Sequence, residues 1–466
     1  MSNLIIFDLD GVITSEEAYW DAAGLTLHEL MYSPHYWGLG ANGPYHPATT
    51  AEESRRISRA IFPESEILAL KARAINSNWD TCYAGVCLRF IRLLERLKEI
   101  LPEAAFQRLF PLRPWDADWL AYFRKKITGI KEQVHNIEIS ANDASAHVQP
   151  YMVGAGLDES IYAFSPALVA PDNWWNLFDS PIFRGSIGLE LINRFDTYAS
   201  EMLGQPIEGV FSRYSPFWTF CQDIFQEWYL GDDLYIQTYG HAPAQLGKPG
   251  CIHFEHPLLP LEQIRTALEA LRQQNYVLGF ATGRVRQEAL YPLEMYGLLR
   301  YFDERHISTY DDIERTEAEL RAHRDQTLLS KPHPFQFLVA ADRHELETIT
   351  QRFLSANKSS SSKRTPFIVV GDSTSDILGG RAAGAITVAV LTGARTPEAR
   401  TLLTQSSPDF TIDDMTKLPA LLECIDSLAT IQRLQFTERE KAQRLLQRWF
   451  EHHMHITTES VTLTPK

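Results

Sequence analysis

The chain has 466 residues, 44% of them hydrophobic and 22% charged, and a formal charge of −15. That length admits two or more domains with their own cores, and the acidic balance argues against a nucleic-acid binder, which carries a basic surface. No apolar run approaches the ~20 residues of a membrane-spanning helix, and the five cysteines lack the spacing of a disulfide framework or zinc site. A cytoplasmic protein without nucleic-acid or membrane partners is expected, since Met1-Ser2-Asn3 runs into a strand rather than a signal peptide.

That strand is Leu4-Ile5-Ile6-Phe7, continued by Asp8-Leu9-Asp10-Gly11-Val12. Four apolar residues in a row suit a central parallel strand covered on both faces. Two acids then stand at its carboxyl end, where open α/β sheets bind ligands. Adjacent carboxylates need a cation or hydrogen-bond donors to compensate them, so metal-assisted phosphoryl chemistry is expected. Asp8 can attack phosphorus as a nucleophile. Asp10 is placed to protonate the leaving oxygen and then to deprotonate water. A calcium loop is excluded, because its glycine and terminal acid positions, counted from Asp8, are Ile13 and Tyr19.

Residues 15–250 read as a helical insertion. A helical period starts at Pro63 and another spans Cys87 to Ile100, with prolines punctuating the stretch. Nine of the ten tryptophans fall there (Trp20, Trp37, Trp79, Trp115, Trp119, Trp174, Trp175, Trp218 and Trp228), which suits a large aromatic core or, alternatively, a pocket for an apolar ligand. Arg55, Arg56 and Arg59, and the group His253, Glu255 and His256, read as surface or interdomain residues. An amphipathic helix over Leu258–Gln274 leads into a second apolar strand, Tyr276 to Ala281, which ends in Thr282, Gly283 and Arg284. The Thr282 hydroxyl and the following backbone N–H groups can bind a phosphoryl oxygen. Gly283 and Arg284 are assigned to substrate, the alternative for Arg284 being a solvated helix start.

Lys331 follows at the mouth of a helix, where its charge would neutralise the transferring group. The Ser-rich segment Asn357–Thr365 reads as a solvated connector. A third apolar strand, Phe367 to Val370, ends in Gly371-Asp372 with Asp376 four residues on. Asp376 also reads as the N-cap of a helix from Ile377 to Ala383. Ile386–Leu391 and Phe410–Ile412 are the last strands. After about residue 430 comes a tail in which Thr437 and Glu440 resemble a capping box, with Leu445, Leu446, Trp449 and Phe450 on one helix face. His452, His453 and His455 beyond it read as a solvated end, and the helix is expected to dock on the core or to form a homo-oligomer contact.

Taken in order, Asp8-Leu9-Asp10-Gly11-Val12, Ala281-Thr282-Gly283-Arg284, Lys331-Pro332-His333-Pro334 and Gly371-Asp372-Ser373-Thr374-Ser375-Asp376 resemble the four motifs of the haloacid dehalogenase-like (HAD) superfamily. The resemblance covers residues 1–14 and roughly 251–430. It implies an α/β fold: a Rossmann-like parallel sheet core, with residues 15–250 as a large, mainly α-helical cap and residues 431–466 as a C-terminal helix and tail. It further implies Mg²⁺ held by Asp8, Asp372, Asp376 and the Asp10 backbone carbonyl, a ligand set that suits a hard cation. The second aspartate accompanies phosphatases and phosphomutases of the superfamily rather than dehalogenases. The expected function is therefore a Mg²⁺-dependent phosphatase that hydrolyses a small phosphorylated metabolite through a phosphoaspartyl intermediate. The rival readings are a sugar-phosphate phosphomutase and a binding or bifunctional protein whose aromatic insertion handles a hydrophobic diphosphate.

Overall fold

The structure, a computed structural model, describes residues 3–37, 45, 47–73, 75, 77–100, 103, 177, 178, 180–342, 346, 347, 349, 350 and 367–431. The Ser-rich segment 357–365, the tail helix with its histidines, and Trp115, Trp119, Trp174 and Trp175 lie outside these residues. The chain divides into two compact units, Met1–Glu16 with Glu255–Lys466, and Glu17–Phe254.

The first unit is built on six parallel strands: β1 (Leu4–Phe7), β2 (Val277–Ala281), β3 (Ile307–Ser308), β4 (Ile368–Gly371), β5 (Ile386–Val390) and β6 (Phe410–Ile412). Their order is β3-β2-β1-β4-β5-β6. β1 is central, with Ile6 in register with Gly279 on one side and Val369 on the other. Its pleat divides its side chains between two cores. Ile5 and Phe7 join a cluster with Leu268, Leu278 and Val370, while Leu4 and Ile6 join Phe337 and Val369. This accounts for the unbroken apolar run, since neither face of the strand meets water. The two-residue β3 carries no periodic signal and was not foreseen. It is admitted by Gly279, where a Cβ would lie 2.1 Å from the His306 carbonyl oxygen.

The joins between units fall two to four residues later than residues 14 and 250, where the sequence placed them. Outgoing and returning chain pair within the sheet unit: the Leu258 N–H donates to the Ile13 carbonyl at 3.0 Å and the Ser15 N–H to the His256 carbonyl at 3.2 Å. Cys251–Phe254 stays with the helical unit because Gly250 lies against the Leu230 carbonyl, where a Cβ would fall 2.5 Å away.

The helical unit contains α1 (Glu17–Tyr32), α2 (Ala51–Ile61), α3 (Glu64–Lys71), α4 (Asn78–Ile100), α5 (Gly188–Leu203) and α6 (Pro216–Tyr239). α1 is buried on nearly every face and contacts α2, α4 and α6. Trp37, Trp218 and Trp228 are buried in this core. The indole N–H groups of Trp228, Trp218 and Trp79 donate to Glu29 at 2.6 Å, Asp80 at 2.9 Å and Gln226 at 3.0 Å, as buried indoles require. Arg55 faces Asp21 and Arg59 faces Glu17, so both are structural within this unit.

The remaining helices belong to the sheet unit: α7 (Leu261–Gln273), α8 (Arg286–Met295), α9 (Tyr310–Ala322), α10 (Phe335–Ala341), α11 (Thr374–Ala382), α12 (Pro397–Gln405) and α13 (Leu418–Ile431). All five cysteines are buried and free. Among the described residues no helix is long and apolar enough to cross a membrane.

Candidate active site

Three strand ends and one helix mouth converge. Asp8 leaves β1 with its N–H still bonded to the Val370 carbonyl at 2.8 Å, so its backbone remains part of the sheet. The next residues wind into a tight turn in which the Leu9 carbonyl accepts from Ile13 at 2.8 Å and Thr14 at 2.9 Å, with Gly11 at φ +73°. A positive φ is what glycine permits at no steric cost.

Lys331, four residues ahead of α10, delivers its ammonium to three oxygens: Asp8 Oδ1 at 2.7 Å, the Ala281 carbonyl at 2.7 Å and Asp376 Oδ1 at 2.8 Å. Two of its three donors are hydrogen-bonded, to Asp8 and the Ala281 carbonyl, and its charge is shared with Asp376 as an ion pair. Burial alone would lower the pKa of Lys331, but Asp376 and Asp8 outweigh it and hold the value above the ordinary lysine range. Burial pushes the Asp8 carboxyl up to about 7, against the pull of Lys331 and with Asp376 and Asp10 adding to the rise.

Asp372 follows β4, and the ligand oxygens of Asp8, Asp372 and Asp376 lie within 4.8 Å of one another. Asp376 is not the N-cap foreseen from sequence. α11 begins earlier, Ser373 is its N-cap, and Asp376 is the reciprocal acid of the capping box, its Oδ2 accepting from the Ser373 hydroxyl at 2.6 Å. The bond pins Oδ2 and leaves Oδ1 for Lys331. Three carboxylates against one ammonium leave two negative charges, the complement of one divalent cation. The donors are all oxygen, which suits Mg²⁺, so Asp8, Asp372 and Asp376 fit the ion expected of them.

Asp372 is also cradled by glycine. A Cβ at Gly11 would lie 2.1 Å from Asp372 Oδ2, and one at Gly393 would lie 1.5 Å from it. The Thr392 hydroxyl ties this loop to the Gly11 carbonyl at 2.5 Å. Gly393→Ala should therefore displace the Asp372 carboxylate and weaken Mg²⁺ binding about 10- to 100-fold, as loss of support around a metal ligand does. Titration calorimetry with Mg²⁺ checks this; unchanged affinity would remove Asp372 from the ligand set.

Thr282 is fully buried at the end of β2, its N–H on the Ser308 carbonyl at 3.0 Å and its carbonyl accepting from Gln336 at 2.6 Å. Gly283 is open, with nothing within 4 Å of where a Cβ would stand. Arg284 is neither solvated nor open: it is 3% exposed and committed to Asp10, Thr14, Glu255 and the Glu288 carbonyl. Glu255, read from sequence as surface or interdomain, is 7% exposed with its carboxylate 2.8 Å from Arg284. Nothing in its local sequence marks that pairing. Gln336 and the Gly393 loop were missed for the same reason.

Parts of the chain are similar to known proteins. The sequence profile of the HAD-hydrolase-like family matches residues 328–418, the span holding Lys331, Asp372 and Asp376. Pyrophosphatase PpaX of Halalkalibacterium halodurans is 27% identical over 243 residues, covering 50% of this chain and 86% of that protein. Pyrophosphatase PpaX of Bacillus mycoides is 28% identical over 174 residues, 37% of this chain and 65% of that protein, so the match spans just under two thirds of this relative. An X-ray structure from the Northeast Structural Genomics Consortium superposes with a TM-score of 0.62 at 25% identity, covering 91% of this chain and 99% of the other.

Proposed function

We propose that the chain, which is similar to HAD-hydrolase-like proteins over residues 328–418 and to a pyrophosphatase over half its length, is a Mg²⁺-dependent phosphatase acting on a small phosphorylated metabolite through an aspartyl phosphate. The observation that carries this reading is the convergence on Lys331: its ammonium bridges Asp8 at 2.7 Å and Asp376 at 2.8 Å, beside Asp372. A nucleophile, a fixed cation and two further carboxylates in one place suit phosphoryl transfer, which depends on positioning and charge neutralisation.

In the proposed reaction the Asp8 carboxylate attacks phosphorus as the ester P–O bond breaks, and Asp10 gives its proton to the departing oxygen. Water then attacks the aspartyl phosphate. Asp10 takes the water's proton, and phosphate leaves Asp8 free. Lys331 offsets negative charge on the group in transit and orients Asp8, while the Thr282 hydroxyl and the backbone at Gly283 bind its oxygens. Bound Mg²⁺, held by Asp8, Asp372, Asp376 and the Asp10 carbonyl, would supply further charge neutralisation. The helical unit is proposed to select the substrate, as inserted lids commonly do.

The test is phosphate release from a panel of phosphomonoesters and inorganic pyrophosphate, with Mg²⁺ or with EDTA. Release that requires Mg²⁺ is expected, and the preferred substrate would assign selectivity. Release unaffected by EDTA would sink the metal-dependent reading, and turnover only in the presence of a sugar bisphosphate would indicate a mutase.

A further inference from the structure

Arg284 makes contacts that neither a solvated cation nor a substrate clamp would make. Its Nε lies 3.1 Å from both oxygens of Asp10, and its Nη2 lies 2.5 Å from Asp10 Oδ1. Nη2 also donates to the Thr14 hydroxyl at 3.1 Å, and that hydroxyl donates in turn to Asp10 Oδ1 at 3.2 Å. On the far side Nη1 meets Glu255 Oε1 at 2.8 Å and the Glu288 carbonyl at 3.2 Å. The side chains of Arg284 and Glu255 are 1% and 0% exposed, whereas that of Asp10 is 16% exposed. A buried guanidinium thus spans a buried anchor and a carboxylate that reaches solvent.

The two oxygens of Asp10 are treated differently. Among the described residues, Oδ1 accepts from Thr14, from Arg284 Nε and from Arg284 Nη2, and Oδ2 accepts from Nε alone. An oxygen already taking three donors is poorly placed to bind a proton, because its lone pairs are committed. A fork of N–H groups also fixes the plane of the carboxylate it holds. We propose that Arg284, anchored by Glu255, is a positioning residue that locks Oδ1 of Asp10 and leaves Oδ2 as the oxygen exchanging a proton with the ester oxygen and then with water. The proposal rests on the phosphatase reading of Asp10 given above. It replaces the assignment of Arg284 to substrate, since the guanidinium is already engaged on both sides.

Kinetics with phenyl phosphate and Mg²⁺ test it, because phenolate, with a pKa near 10 like that of tyrosine, is a leaving group that benefits from protonation. Arg284→Gln should lower kcat about 10- to 100-fold, the usual consequence of a misplaced reacting group, with KM nearly unchanged. The double variant Asp10→Asn/Arg284→Gln should be no slower than Asp10→Asn alone, because a residue acting only through Asp10 has nothing left to position. An additive loss, or a rise in KM with kcat intact, would overturn the proposal and return Arg284 to the substrate. Should Arg284→Gln fail to fold, Glu255→Gln decides: it keeps the guanidinium and loosens its anchor, so a fall in kcat at constant KM is expected, and unchanged kcat would overturn the proposal. Asp10→Asn separates the two levels. If it retains full turnover, the acid–base reading itself fails; if it is slow while Arg284→Gln is not, only the positioning role fails.

Discussion

Asp8→Asn should abolish phosphate release, with a loss on the order of 10⁴-fold or more, as removal of a nucleophile that acts as a unit with its partners does. The amide keeps the size of the carboxylate but lacks the charge needed to attack phosphorus and to bind a cation. The fold should survive. Burial raises Asp8 from 3.8 to about 7, with Lys331 opposing the rise. A carboxyl whose folded value is raised contributes stability that is fully present below its unfolded value and is lost as pH climbs through the folded one. Without divalent cations, the parent should therefore lose stability relative to the uncharged variant between about pH 4 and pH 7. Thermal melts of both proteins across that window, with EDTA, measure the effect. A variant that retains turnover would end the covalent mechanism, and a pH-independent difference in melting temperature would mean that Asp8 is not so perturbed.

The largest expected loss of stability lies in the helical unit, at Arg89→Met. Arg89 on α4 reaches Glu66 on α3 through two parallel bonds, Nη1 to Oε1 at 2.9 Å and Nη2 to Oε2 at 3.0 Å, with both side chains almost wholly buried. Nη1 also bonds the Gly85 carbonyl at 3.1 Å and Nη2 the Ile61 carbonyl at 2.5 Å, and the guanidinium lies over the Phe62 ring at 5.4 Å. Removing the cation strands Glu66 in the core, which costs about 3–5 kcal/mol. Replacing both partners, as in Arg89→Met/Glu66→Leu, should recover most of that loss, because an apolar pair avoids burying charge at all. Nine of the ten tryptophans lie between residues 15 and 250, so urea unfolding followed by tryptophan fluorescence reports chiefly this unit. A loss below about 1 kcal/mol, the scale of an exposed pair, would contradict the burial.

The structure separates what was legible along the chain from what was not. Leu4 to Phe7, Val277 to Ala281 and Ile368 to Val370 could be read as strands because a central parallel strand buried on both faces leaves few polar positions. The acids and hydroxyls that follow them mark the carboxyl ends where such sheets bind ligands. The helix after Asp372 was legible too, but its start was misplaced. Ser373 and Asp376 can each cap a helix, and only the reciprocal bonds show which does so. β3 stayed hidden because two residues carry no period.

The sequence by itself determined the class of fold, the order of the candidate catalytic segments and the chemistry available at each strand end, because backbone pattern and side-chain type are local properties. Only the tertiary structure decided who meets whom. It set Lys331 between Asp8 and Asp376, placed Gly393 against Asp372, and paired Arg284 with Asp10 and Glu255. Such pairings depend on buried charges finding partners across long stretches of chain, and a buried ion is stable only where those partners converge.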